Sequence, residues 1–274
     1  MNKLDYKNMK VIDKFHEPYP LIIYSNLLNN HQLNDLEKCM SNNSIFDKIV
    51  MGNRKTILKG TKNFSKFIQE NYIANEINSF FDDNSVFNFF YKNLSDLNKY
   101  NSKYFDFENK NFKLTKNFIS RKNDVFFKIK NRSSKILSKL VNNHRIYCDF
   151  DFSVAGSGYE REPHHDKEGR ILNFLFYINN FDAKKGGSFQ VFKYINNPIK
   201  YLRQPSLEDI EVIKKIEPQR GYLITFLSTP NSIHSVDTIT STNNKRYFFY
   251  GSYTSISKII WSTSDWMPNQ FSIV

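Results

Sequence analysis

The stretch GYEREPHHDKEGRILNFLFYIN, residues 158–179, decides how the chain folds and where its chemistry lies. On a β-strand, side chains two residues apart point to the same face, so His164 and Asp166 project together while His165 points away. A neutral imidazole and a carboxylate that converge on one point supply two ligands of the facial triad found in non-haem Fe(II) oxygenases. A His-x-Asp pair alone is a weak signal, because it recurs by chance in ordinary chains.

The third ligand of such a triad has to come from another part of the chain. The sequence has six histidines, and one of them, His234, lies downstream at the end of the strand-like run 231–236. The sequence therefore offers His164, Asp166 and His234 as candidate metal ligands.

Around this segment the hydrophobic pattern has a period of two, which is typical of β-strands. Turn signals such as Asn179-Asn180 and Gly186-Gly187 separate most of these runs. Several short strands with such punctuation predict a β-sandwich or barrel. The predicted strands are 145–152, 171–178, 188–194, 221–227 and 246–253.

The first half of the chain has a different pattern. After an extended segment at 19–24, apolar residues recur at helical spacing in three stretches, which predicts helices packed around the β core. Asn30 or Asn34 is the expected cap of the first helix. A capping box at 206–209 predicts a short helical insertion over 207–215. The three helical stretches are 31–40, 66–91 and 133–141.

Composition excludes several classes of protein. Hydrophobic residues make up 40% and aromatic residues 16% of the 274 residues, which argues against global disorder. The net charge is +12, but the basic residues are scattered and no run of five or more occurs, so we expect a solvated surface and no nucleic-acid partner. The two cysteines, Cys39 and Cys148, cannot form a disulfide framework.

The N-terminus has no apolar region and cleavage site typical of a secretory signal, and no apolar run approaches the length of a transmembrane helix. The sequence therefore predicts a cytoplasmic protein without a membrane partner. It gives no prediction of oligomeric state.

Four further segments follow the His-x-Asp stretch in a recognisable order: GGSFQVF (186–192), IEPQRGYLITF (216–226), HSV (234–236) and RYFFYGSY (246–253). In this order the chain resembles the 2-oxoglutarate/Fe(II)-dependent dioxygenases, and most closely their prolyl-4-hydroxylase-like branch. The resemblance implies an α+β fold with a double-stranded β-helix (jelly-roll) core and supporting N-terminal helices. It predicts a support region at 1–145, the oxygenase core at 146–254 and a C-terminal extension at 255–274.

The resemblance also assigns roles to the candidate metal ligands and to a cation. His164, Asp166 and His234 are implied to hold Fe(II), leaving positions for 2-oxoglutarate and O2. The distal carboxylate of the cosubstrate needs a cation, and Arg246 has the planar fork suited to it. Arg246 follows His234 after a gap slightly longer than is usual in the family, and its neighbour Lys245 should point the opposite way.

Other positions are implied to complete the cosubstrate pocket. Tyr177 matches a tyrosine that donates a hydrogen bond to the same carboxylate. Asn173 shares its strand face, so it is expected to reach the cosubstrate or the carboxylate that binds the iron. Phe189 and Val191 match positions that wall the pocket. Ascorbate is a further cofactor that the resemblance allows.

For several residues near the site, the sequence allows more than one location or role. We expect His165 to be exposed or to lie behind the ligands, with contact to the substrate as the alternative. Arg170 and Lys167 are expected on a solvated face, with contact to an anionic substrate as the alternative. Tyr159 fits the substrate pocket and the core equally well.

The resemblance implies a hydroxylase that acts on an unactivated C–H bond of a peptide or protein side chain, or of a small metabolite, with release of succinate and CO2. The alternative is a jelly-roll protein that binds a metal or a sugar without catalysis. Such a protein would have no need for Arg246 and Tyr177 beside a cosubstrate.

Overall fold

The structure is a computed structural model, and it describes residues 4–42, 46, 48–97, 111–115, 143–167, 169–196, 202–240 and 244–256. Thirteen strands and four helices are seen in this part of the chain. The strands are β1 (Lys10–Phe15), β2 (Leu21–Ser25), β3 (Lys48–Met51), β4 (Arg54–Leu58), β5 (Asn111–Leu114), β6 (Asn143–Ala155), β7 (Arg161–His164), β8 (Arg170–Tyr177), β9 (Phe189–Tyr194), β10 (Ile210–Ile216), β11 (Leu223–Leu227), β12 (His234–Val236) and β13 (Arg246–Ser255). The helices are α1 (Asn30–Ser41), α2 (Lys62–Glu70), α3 (Tyr72–Phe81) and α4 (Asn84–Ser95).

The strands form the two facing sheets of a jelly roll. The larger sheet has the order β1-β2-β11-β8-β13-β6-β4-β3, with β5 alongside β6, and the smaller has the order β10-β9-β12-β7. Apart from the parallel pair β5 and β6, every pairing is antiparallel. The α+β jelly-roll prediction is therefore confirmed.

The central strand β8 is buried on both faces, which explains its almost unbroken apolar sequence. Phe174 packs on one side in the large core shared with the helices, where its ring stacks on Phe81 of α3 with centroids 4.1 Å apart. Leu175 and Tyr177 point to the other side, into a smaller apolar cluster between the two sheets. The helices thus support the back of the large sheet, and its other face is turned to the smaller sheet.

The helix predictions hold in outline. The first predicted helix is α1, although its cap is Asn29, whose side chain bonds Gln32 in a capping box, and neither Asn30 nor Asn34. The stretch predicted at 66–91 contains parts of three helices, α2, α3 and α4, because Asn71 and Asp83 each cap a new helix. The helix predicted at 133–141 lies outside the described residues.

The helical insertion predicted at 207–215 is wrong. Only Leu207–Asp209 forms a single 3-10 turn, and the Ser206 side chain makes no cap hydrogen bond. The chain then continues as β10, which pairs with β9 along its length. The backbone hydrogen bonds of that pairing take the place of helical ones.

The region before residue 145 also contributes strands, not helices alone. Strand β2 pairs with β11 and β4 pairs with β6, so the large sheet is built from both halves of the sequence. The boundary at 145 stays a prediction. No helix in the described ranges is both long and apolar enough to cross a membrane.

Gly251 is expected to be a position where the fold tolerates no side chain. It pairs with Phe150 on one neighbouring strand and Phe174 on the other. An added Cβ would overlap both side chains and lie 2.6 Å from the carbonyl oxygen of Asp149. Gly251→Ala should therefore lower the free energy of unfolding by about 1–3 kcal/mol, measured by urea denaturation.

The matched control is Gly156→Ala, because a Cβ at Gly156 meets no atom within 4 Å. Equal stability of the two variants would show that the strands around Gly251 separate easily.

Candidate active site

Strand pairing brings the two candidate histidine ligands together. In the smaller sheet His234 of β12 is paired directly with His164 of β7, and their ring centroids are 4.5 Å apart. Asp166 follows β7 by two residues. One ligand atom from each of the three side chains lies within 4.8 Å of the others, and all three residues are buried.

Backbone contacts orient both imidazoles. The Nδ1 atom of His164 lies 2.8 Å from the carbonyl oxygen of Glu162, and that of His234 lies 2.9 Å from the carbonyl oxygen of Ser232. A carbonyl partner requires Nδ1 to carry the proton, so Nε2 of each ring is the nitrogen that could bind a metal. In the structure the His164 Nε2 atom accepts a hydrogen bond from Arg161 Nε at 3.3 Å. The His234 Nε2 atom is 3.5 Å from Oδ2 of Asp166.

The protonation states match those that metal ligands need. Burial, with a smaller contribution from His234, lowers the pKa of His164 to about 3, and burial also lowers the pKa of His234. Burial alone would raise the pKa of Asp166, but the Arg170 guanidinium and the two histidines hold it well below its usual range. Two neutral imidazoles and an ionised carboxylate are the forms that bind a divalent cation.

A hydrogen-bonded network fixes the Asp166 carboxylate. Arg170 Nη1 donates to Asp166 Oδ1 at 2.5 Å and to the Tyr250 hydroxyl at 2.6 Å. The Tyr250 hydroxyl in turn donates to Asp166 Oδ2 at 3.1 Å, and Asn173 Oδ1 lies 3.3 Å from Arg170 Nη1. The prediction of a solvated Arg170 is therefore wrong. Asn173 Oδ1 accepts hydrogen bonds from Arg170 Nη1 and from the Tyr250 hydroxyl, and these two residues in turn bind the Asp166 carboxylate.

Arg170→Met is expected to weaken Fe(II) binding about 10–100-fold, the usual cost of losing a partner that orients a metal ligand. The reason is that Asp166 would lose its cation and become free to rotate. Competition against a chelator of known affinity under anaerobic conditions measures the change. Arg145→Met, at an exposed position of β6, is the control, and unchanged affinity in Arg170→Met would show that Tyr250 alone suffices.

Arg246 is a buried cation with hydrogen-bonding capacity to spare. Arg246 is 1% exposed, and its Nη1 atom donates a hydrogen bond to the carbonyl oxygen of Gly187. Its Nε and Nη2 atoms have no hydrogen-bond partner among the described residues. The guanidinium lies over the Phe248 ring at 4.5 Å and near Tyr177 at 5.6 Å. Lys245 is exposed, as strand alternation predicts.

The Tyr177 hydroxyl is buried beside this guanidinium, and its proton has no acceptor among the described residues. Burial raises the pKa of Tyr177 to about 12 although Arg246 acts in the opposite direction, so the hydroxyl keeps its proton. Unpaired buried donors are costly. Two donors of Arg246 and one of Tyr177 together fit a carboxylate.

A cavity of about 300 Å³ between the sheets joins the histidine–aspartate cluster to Arg246. Phe189 forms part of its wall, and Val191 lies in the same apolar cluster behind it. Tyr159 lines the cavity and is also buried in the core, where it is 3% exposed.

His165 is not exposed. It is fully buried, and its Nε2 atom lies 3.0 Å from the Tyr194 hydroxyl. Sequence reasoning missed several cavity residues, among them Arg54 and Tyr250. Arg54 belongs to β4 and bonds Asp151 at 2.5 Å across 97 positions of sequence, so no local pattern could have placed it there.

Two histidines and one carboxylate at a cavity between the sheets of a jelly roll are the ligand types that non-haem Fe(II) oxygenases use. Residues 150–253 match the family model of the 2OG-Fe(II) oxygenase superfamily. No curated protein matches the chain in a sequence comparison.

Solved structures similar to the chain include three prolyl hydroxylases. A Pseudomonas putida prolyl-4-hydroxylase is 19% identical over 39% of this chain and 51% of its own, with a TM-score of 0.28. A prolyl 4-hydroxylase from Phytophthora capsici is 13% identical over 86% of this chain and 58% of its own, with a TM-score of 0.46. A Trichoplax adhaerens prolyl hydroxylase, solved with a hypoxia inducible factor peptide fragment, is 14% identical over 85% and 83%, with a TM-score of 0.43. The chain thus spans about half the length of the first two.

Proposed function

We propose that the protein is an Fe(II)- and 2-oxoglutarate-dependent dioxygenase that hydroxylates an unactivated C–H bond. The observation that carries this proposal is the pairing of two sites in one cavity: the cluster of His164, Asp166 and His234, and the buried Arg246 with two unused donors. The cluster has the ligand types that Fe(II) takes in oxygenases. A dicarboxylate cosubstrate needs a cation at its distal carboxylate, and Arg246 would supply that cation.

The donor sets of this chain fit both groups. His164, Asp166 and His234 would hold the iron, and Arg246 with Tyr177 would hold the distal carboxylate of 2-oxoglutarate. When bound, the iron and the cosubstrate supply the oxidising power to insert oxygen from O2 into a C–H bond, with release of succinate and CO2. Ascorbate stays a further cofactor to test.

The chain's own residues orient and enclose these groups. Phe189 stacks on the His234 ring with centroids 5.5 Å apart, and Phe226 meets the same ring at 4.8 Å. These rings keep water from one side of the cluster. Low water content strengthens the attraction between Arg246 and a carboxylate, because the local dielectric constant falls.

We infer that the substrate is a side chain of a peptide or protein, or a small metabolite, and that the enzyme belongs with the prolyl-4-hydroxylase-like branch. The segments at 163–179 and 186–192 support the branch, and the cavity of about 300 Å³ suits either kind of substrate. A cytoplasmic location stays a prediction. A metal- or sugar-binding jelly roll without catalysis would leave the unused donors of Arg246 unexplained.

The test is an anaerobic titration of the metal-free protein with Fe(II) and 2-oxoglutarate, followed by visible absorbance. A metal-to-ligand charge-transfer band that needs both components supports the proposal, and succinate release can then be screened against peptides and metabolites. Bound iron without such a band would favour the non-catalytic protein. Failure to bind iron would contradict the assignment of the cluster.

A further inference from the structure

We propose that Tyr250 is a positioning residue of the metal centre: its hydroxyl group selects Oδ2 of Asp166 as the oxygen that faces the metal, and it makes that oxygen a weaker electron donor. This inference rests on the proposed function, because it concerns the metal of that same site. It follows from the different partners of the two carboxylate oxygens and from the single proton of the hydroxyl group.

The two oxygens of the Asp166 carboxylate have different surroundings. Oδ1 accepts a hydrogen bond from Arg170 Nη1 at 2.5 Å. Oδ2 lies 3.5 Å from His234 Nε2, the ring nitrogen that could bind a metal. Because Arg170 occupies Oδ1, Oδ2 is the oxygen that the carboxylate turns toward the metal position.

The Tyr250 hydroxyl has one proton, and its neighbours decide where that proton points. A guanidinium group has only donors, so in the bond of 2.6 Å with Arg170 Nη1 the hydroxyl oxygen is the acceptor. The proton then has two acceptors within reach, Asp166 Oδ2 at 3.1 Å and Asn173 Oδ1 at 3.4 Å. A hydrogen bond to an ionised group is roughly twice as strong as one between neutral groups. The hydroxyl therefore donates mainly to Oδ2, which is both charged and nearer.

The fold holds this hydroxyl group in place. Tyr250 lies on β13 between Asp151 of β6 and Leu175 of β8, so backbone pairing fixes the strand on both sides. The Arg170 guanidinium lies over the Tyr250 ring, 5.5 Å from its centroid. The ring also forms part of the cavity wall. Strand β13 thus supplies Arg246 for the cosubstrate and Tyr250 for a metal ligand.

A hydrogen-bond donor on a ligand oxygen affects the metal as well as the ligand. Partners of this kind orient the ligand and tune the metal. A carboxylate oxygen that accepts a hydrogen bond gives less electron density to the metal, and weaker donation favours Fe(II) over Fe(III). The proposed reaction uses Fe(II), so the Tyr250 hydroxyl would favour the form of the metal that the reaction needs.

The test changes only the hydroxyl group of Tyr250. Tyr250→Phe keeps the ring and removes the donor, whereas 3-fluorotyrosine at position 250 keeps the hydroxyl group and makes it a stronger donor. Two quantities are measured for each protein. One is the wavelength of the charge-transfer band of the anaerobic complex with Fe(II) and 2-oxoglutarate, and the other is the Fe(III)/Fe(II) midpoint potential of the iron-loaded protein without 2-oxoglutarate.

The two replacements should shift both quantities in opposite directions. In Tyr250→Phe the carboxylate becomes a stronger donor and raises the energy of the metal electrons, so the band should move to longer wavelength and the potential should fall. With 3-fluorotyrosine the band should move to shorter wavelength and the potential should rise. A residue that only fills space would produce neither pair of shifts.

Tyr253→Phe is the matched control. Tyr253 is also a buried residue of β13, but its hydroxyl donates to the carbonyl oxygen of Phe81 at 2.9 Å, in the core shared with the helices. Removing that hydroxyl should lower the free energy of unfolding and leave the band and the potential unchanged. The control separates an effect on the metal from a general loosening of the strand.

The proposal is overturned if Tyr250→Phe has the same band and the same potential as the unmodified protein, or if the two replacements shift them in the same direction. If Tyr250→Phe does not fold, the fluorotyrosine protein decides. The proposed function has its own readout. Iron that binds without a charge-transfer band contradicts the dioxygenase, and the potentials then still decide the role of Tyr250. Failure to bind iron overturns both.

Discussion

His234→Ala is expected to abolish the charge-transfer band and all turnover dependent on Fe(II) and 2-oxoglutarate. The variant would leave His164 and Asp166 as the remaining members of the cluster, which is too few for a facial triad. Loss of a partner behind a ligand already costs about 10–100-fold in metal affinity, so loss of a ligand should cost more. Anaerobic titration with Fe(II) and absorbance measures the effect directly.

The experiment on His234 must distinguish loss of metal binding from loss of the folded structure. His234 is buried between the rings of Phe189 and Phe226, so alanine would also leave a void. His234→Gln keeps most of the volume and should give the same loss of the band with a smaller change in melting temperature. His31→Ala is the matched control, since the His31 side chain is 79% exposed on α1. A band of normal intensity in both His234 variants would contradict the ligand assignment.

The parts of the fold with strong local patterns could be predicted from the sequence. Strands β8 and β13 were predicted because apolar, β-branched or aromatic residues persist over seven or more positions between turn signals. The approach of His164 to His234 rested on motif order, and antiparallel pairing of β7 with β12 supplies its physical basis. Local pattern and tertiary pairing agree at these places.

Where the prediction failed, a distant partner decided the outcome. Ser206 begins a sequence that fits a capping box. The residues that follow nevertheless form β10, because their backbone groups pair with the edge of β9. Arg170 looked like a surface residue because its sequence neighbours are charged. Its role depends on the turn after Asp166, which folds the guanidinium back onto the carboxylate. Such contacts are fixed by the three-dimensional path of the chain.

Arg246→Gln is expected to weaken 2-oxoglutarate binding about 100-fold or more while leaving the affinity for Fe(II) alone unchanged. Removing one partner from a buried, hydrogen-bonded charge pair typically costs about 2–5 kcal/mol. Glutamine retains a donor but has no charge and no fork, so the distal carboxylate would lose its counter-ion. Titration of the charge-transfer band against 2-oxoglutarate measures the cosubstrate affinity, and competition with a chelator of known affinity measures the affinity for Fe(II) alone.

Thermal unfolding adds a readout that a merely structural role for Arg246 would not produce. In the absence of cosubstrate, Arg246 holds a buried charge with two unused donors, which is unfavourable, so Arg246→Gln should unfold at a similar or higher temperature. Saturating 2-oxoglutarate should raise the melting temperature of the unmodified metal-loaded protein, because a ligand that binds only the folded state stabilises it, and this rise should be lost in Arg246→Gln. Lys245→Gln, at the exposed neighbouring position, should keep the full rise. If Arg246→Gln also keeps it, another cation holds the cosubstrate, and Arg246 only packs against the Phe248 ring.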